Sequence, residues 1–139
     1  MPKITTFVYA EEISNTRDNK LNIVNPLNVF RPAFVPGMFS FSVVIGIIGL
    51  DVTQGKHTLR IKFYGEDQKE TPLIDTGYVP LEDVPTGPLS LPSELRGMMG
   101  SMDFRNVVMK SEGVYITEVF VDGDLLGEFP IHVLAGESV

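Results

Sequence analysis

The amino-acid sequence predicts an all-β chain folded as an antiparallel β-sandwich of about eight short strands. Three observations lead there. Successive stretches alternate apolar and polar residues with the period of two that a half-buried strand requires, turn residues punctuate them at short intervals, and no segment sustains the helical period for three turns. The clearest unit is residues 111–133: 114–121 is rich in β-branched and aromatic residues, Asp122-Gly123 supplies a turn whose two central positions need φ > 0, and Phe129, Ile131 and Val133 alternate after it. A hairpin of that kind must bury one face on other strands.

Taken in order, residues 3–13 set Ile4, Thr6, Val8 and Ala10 against Phe7, Tyr9 and Glu11, and residues 14–20 are polar and turn-prone. Residues 21–29 keep a period of two, with Pro26 forcing an edge or a bulge because proline offers no ladder donor. Pro32, Pro36 and Gly37 mark residues 30–37 as an extended crossing between sheets. Residues 39–48 begin half-polar and become apolar on both faces, which predicts the central strand. After a turn at 51–56, His57, Leu59, Ile61 and Phe63 alternate with Thr58, Arg60, Lys62 and Tyr64. A solvated loop at 65–72 precedes a short edge strand within 73–81. Residues 82–100 read as one long irregular stretch, with a single helical turn at 93–96 capped by Ser93, and 102–109 alternate as a further strand with Phe104, Asn106 and Val108 on one face.

Length and composition bound the rest. The 139 residues fit one domain, 1–139, and no cysteine is present to form a disulfide or a thiolate metal site, which places the chain in a reducing compartment such as the cytoplasm. The first nine residues lack the continuous apolar core of an export signal, and the longest apolar run, 43–50, is too short to span a bilayer. A formal net charge of −7 repels phosphate backbones and anionic lipid, so neither nucleic acid nor a membrane is an expected partner.

Ser111-Glu112-Gly113-Val114-Tyr115 resembles the start of the sixth strand of immunoglobulin-like sandwiches, where a small residue two places before a tyrosine lets the chain turn and the phenol bonds back to the backbone. The resemblance implies an immunoglobulin-like architecture; the cysteine pair and tryptophan of antibody domains are missing, so it implies no immune role. Together with Tyr9-Ala10-Glu11-Glu12, Lys20-Leu21-Asn22-Ile23 and Gly55-Lys56-His57-Thr58-Leu59-Arg60-Ile61, the hairpin also resembles a group of short bacterial single-domain sandwiches to which no activity is assigned.

No catalytic, cofactor or metal site is legible. His57 and His132 sit in no motif, and Asp122-x-Asp124 is accounted for by hairpin geometry. Gly46-Ile47-Ile48-Gly49 lacks the spacing and following helix of a phosphate loop. The stretch that points toward function is 88–102, where Leu89, Leu91, Leu95, Met98, Met99 and Met102 gather in an irregular segment. Such residues either tuck over the sandwich or form a protein-partner or self-association surface, for which Leu95, Met98 and Met99 are the candidate residues. The expected function is a non-catalytic binding or scaffolding module of a bacterial cytoplasm, without cofactor. The alternatives are a small hydrolase with a site assembled on sandwich loops, and a phage or secretion-associated structural component.

Overall fold

The computed structural model describes residues 2–18, 20–50, 56–81 and 90–136. Among them ten strands form two sheets packed face to face: β1 (Lys3–Asn15), β2 (Leu21–Pro26), β3 (Val29–Phe30), β4 (Gly37–Ile48), β5 (Thr58–Gly65), β6 (Ile74–Asp75), β7 (Val79–Pro80), β8 (Gly97–Met109), β9 (Gly113–Val121) and β10 (Asp124–Val133). One sheet has the order β2-β1-β4-β8, the other β3-β10-β9-β5-β6, with β7 also on β5. The all-β sandwich is therefore present. Two short pairings on β5 replace the single edge strand read within 73–81, and the turn at 51–55 lies outside the described residues.

The segment read as one strand at 21–29 is split by Pro26. Its first part pairs antiparallel with β1, whereas Val29 and Phe30 leave for the other sheet and pair parallel with His132 and Val133. Pro26, opposite Ala10, has no N–H to give; Leu27 makes the last backbone bond to β1, to the Tyr9 carbonyl at 2.7 Å, and the chain then changes sheets. It returns over 31–36 to begin β4, which is central as its sequence requires, lying between β1 and β8. The terminal hairpin is as read: Asp122 and Gly123 have φ of 53° and 85° between the paired Val121 and Asp124, the geometry of a type I′ turn.

Three long strands contain a one-residue register shift, and each resets which face is buried. In β1 the shift lies at Thr5, so Ile4 packs on the core and the inward phase then passes to Phe7 and Tyr9, with Val8 and Ala10 on the opposite face. In β8 the extra residue falls between Phe104 and Val107, opposite Ser40. Asn106 takes a φ of 55° there and donates its backbone N–H to the Ser40 hydroxyl at 2.9 Å. Met102 and Phe104 face inward before the bulge, Val107 and Met109 after it, and Val108 is turned to solvent. The uninterrupted alternation expected across 102–109 therefore fails at Asn106. In β10 the shift lies at Leu126.

The core is aromatic at its centre: Phe30, Phe41 and Phe63 are fully buried, and Phe30 packs on Phe39 and Phe41 with ring centroids 4.7 and 4.6 Å apart. Two tyrosines bring polar groups into it. The Tyr9 hydroxyl, from one sheet, lies 2.7 Å from the Thr117 hydroxyl of the other and donates to the Phe129 carbonyl at 2.6 Å. Burial pushes the Tyr9 phenol well above its ordinary value, so it stays a donor throughout the working range. The Tyr115 hydroxyl donates to the Ser111 carbonyl at 2.8 Å, closing the corner before β9 as the sequence indicated.

Changing Tyr9 to Phe leaves the buried Thr117 hydroxyl and the part-buried Phe129 carbonyl short of a partner, a loss of about 1–3 kcal/mol; Tyr115→Phe costs about 1 kcal/mol. Both are expected to lower the urea midpoint without changing the slope. A midpoint unmoved by Tyr9→Phe would show that the bridge between sheets contributes nothing to stability.

Candidate partner-binding edge

Residues 97–100, read as the end of the irregular stretch, join the strand read at 102–109 to form the long edge strand β8. Among the described residues β8 pairs with β4 alone, so its other side presents backbone donors and acceptors without a sheet partner. The strand contains two glycines and no proline. Gly97 is required by close approach: a Cβ there would lie 1.7 Å from the Ile47 carbonyl oxygen, so any other residue would force β8 away from β4. Just before it lies a short 3-10 turn, Ser93–Leu95. Ser93 does not cap this turn: Pro92 precedes it and no side-chain cap bond forms.

Strand parity separates the three candidate partner-binding residues. Leu95 lies in the 3-10 turn and is 50% exposed. Met98 points inward and packs against the core, whereas Met99 points to the outer face and is 56% exposed. The Met99 thioether lies over Gly46 of β4, its Cε 2.8 Å from where a Cβ would be, so the glycine provides its seat. The outward side chains between Met99 and the bulge are polar, and Val108 beyond it is exposed. Ser42, fully buried, donates to Asp103 at 2.5 Å, and Arg105 comes within 4.0 Å of the same carboxylate with both side chains about half exposed.

Beside Asp103 to Val108 a groove of about 460 Å³ opens, closed on its far side by Leu73 and Ile74 at the edge of the second sheet. That wall is held by a fork: Arg60 donates to both Asp75 oxygens, at 2.9 and 2.7 Å, and stacks over the Tyr78 ring at 5.0 Å. The Arg60 hydrogen bonds, assisted by the Gly77 N–H, hold the Asp75 carboxyl at about 2, below the usual carboxylate range. Sequence reading missed this arrangement because no local pattern announces that two short strands sit on β5.

The other candidate groups are occupied structurally. His57 Nδ1 lies 2.7 Å from Asp122, whose other oxygen accepts the Thr58 N–H at 2.9 Å, so this carboxylate clamps the hairpin turn to the start of β5. His132 is exposed on β10. Among the described residues no group of three or more His, Cys, Asp or Glu is placed to hold a metal ion, and no helix is long and apolar enough to cross a membrane. One carboxylate unremarked in the sequence is Glu118, 2% exposed although it lies on the outward phase of β9. Lys69 approaches it at 3.7 Å, and Tyr64 beside it is pushed up to about 12, first by burial and then by the Glu118 charge.

A family model described as a family of unknown function, DUF6941, matches residues 5–134. The chain belongs to that family. The match runs from the bulge of β1 to just beyond the end of β10, so in this DUF6941 member the edge strand and both sheets fall within the shared region. No curated protein matches the chain.

Two measurements check the geometry of this edge. Met98→Ser is expected to cost about 2 kcal/mol by removing buried apolar surface, whereas Met99→Ser stays within roughly 0.5 kcal/mol, as exposed substitutions do; equal losses would contradict the assigned parity. Because the folded Asp75 value lies below the ordinary 3.8, the Arg60–Asp75 pair stabilises the groove wall above about pH 4, and that contribution disappears as pH falls toward 2. An Asp75 carboxyl resonance titrating near 2, returning toward its ordinary value in Arg60→Ala, is the expected result.

Proposed function

We propose that this DUF6941 protein is a non-catalytic binding module, a single immunoglobulin-like domain of the bacterial cytoplasm that docks a protein segment along β8. The observation that carries the reading is the thirteen-residue edge strand, open on one side and flanked by the exposed Leu95 and Met99. An extended segment added there would gain main-chain hydrogen bonds from the strand and side-chain contacts from the groove beside it. The immunoglobulin-like reading draws support from β3 running parallel to β10 beside β9 and β5, and from the Tyr115 corner. The role of Met98 is then to fix the strand from within, with Leu95 and Met99 meeting the partner. The absence of cysteine supports a reducing compartment.

Selection of binders from a library of twelve-residue peptides, followed by mapping of backbone amide shifts, tests the reading. Selected peptides are expected to perturb residues 97–109 and to lose affinity at least tenfold against Met99→Lys or Ser101→Pro, the latter because proline interrupts the ladder. Binders that map to another face, or a selection that yields none, would overturn it.

A further inference from the structure

Resting on that reading of β8 as a docking strand, we infer that its occupant is a second copy of this chain, paired β8 to β8 about a two-fold axis through Phe104. When two copies of one strand pair antiparallel, opposite residues share a face, so the axis must pass through a residue position that sets outward side chains against outward ones. Asp103 and Arg105 are successive outward residues on either side of Phe104, and they are the two charged residues of β8. An axis at Phe104 sets Asp103 of each copy opposite the partner's Arg105, and does so twice, the self-complementarity that a two-fold interface demands. An axis at any other position lacks this match. Moving it to Asp103 or Arg105 would set that charge against its own copy, which is destabilising in a directly opposed pair.

The local geometry favours the exchange. Within one chain the Arg105–Asp103 approach is only 4.0 Å, at the limit of an ion pair, because the two residues are neighbours along one face of a strand rather than opposite one another. Ser42 already orients the carboxylate from below through its hydroxyl, leaving the Arg105 side available. The extra residue of the bulge is taken up against Ser40 on the β4 side. The groove between residues 103–108 and Leu73–Ile74 gives the inward-facing side chains of the added strand a place to pack. The paired edges would cover the open side of β8 on each sandwich.

Sedimentation of the full chain over a concentration series is expected to show a monomer–dimer equilibrium. Asp103→Lys and Arg105→Glu, each alone, oppose like charges twice and are expected to weaken the dimer at least tenfold. Mixed in equal amounts, the two variants oppose only unlike charges and are expected to form a heterodimer, which also shows that both are folded. A nitroxide at Val108→Cys fixes the register: the bulge leaves residue 108 three strand positions from Phe104, so labels on the two copies are expected roughly 20 Å apart, six positions measured across the axis. A chain that stays monomeric at all concentrations, a mixture that fails to associate, or a label distance belonging to another register would overturn the inference. If the chain is monomeric while selected peptides still map to β8, the docking reading stands and only the second copy is excluded. If the peptides miss β8 as well, both fail.

Discussion

A β-strand can bury only every second side chain, and that parity governs this molecule more than any single contact. β1, β8 and β10 each contain one extra residue that hands the inward phase to the neighbouring position. Without the shift at Thr5, Ile4 and Phe7 could not both reach the core. Without the shift at Asn106, Val107 and Met109 would point to solvent while Val108 entered the interior. The same bulge ends the flat part of β8 and leaves Asp103 and Arg105 as its last regular outward pair, so the character of the exposed edge follows from how the interior is satisfied.

Packing between the sheets is specific because it is not purely apolar. A core of phenylalanine and branched aliphatic residues tolerates sliding by a residue or two at modest cost, whereas a buried hydroxyl must find its partners in one place. Tyr9 meets that demand by reaching from β1 to Thr117 on β9 and Phe129 on β10, and no buried side-chain nitrogen or oxygen is left without a partner among the described residues. Its ring also packs edge-on against Phe7 and Phe30, so one side chain fixes the position of one sheet over the other.

The parts of this architecture that were legible in the sequence are those set by local rules. The period of two identified β4 and β5, the Asp122-Gly123 turn defined the last hairpin, and Gly113 two residues before Tyr115 announced the corner that the phenol closes. What was not legible depends on partners distant in sequence. A bulge inside an alternating run leaves the residues looking regular, so Phe104 and Val108 shared a face on paper and lie on opposite faces in the fold. Glycines at 97 and 100 made the start of β8 resemble a loop, although Gly97 is there to let two strands approach. Met98 and Met99 read alike in the sequence and were not separable until the strand and its phase were known. Glu118 gave no signal at all, since a carboxylate on an outward position is ordinary until a lysine from the loop after β5 is seen to approach it.

The bridge from Tyr9 to Thr117 joins residues 108 positions apart, and β3 pairs with the last strand. During synthesis at roughly 5–20 residues per second, β1 therefore waits on the order of 5–20 s before the strand that completes its contact with the opposite sheet is made. Through that interval β1, β2 and β4 have only part of the second layer, the strands gathered on β5, to cover their apolar face. For a chain built this way, the ribosome and whatever binds nascent strands are the first surfaces its core encounters, and the closing hairpin is the event that releases it from them.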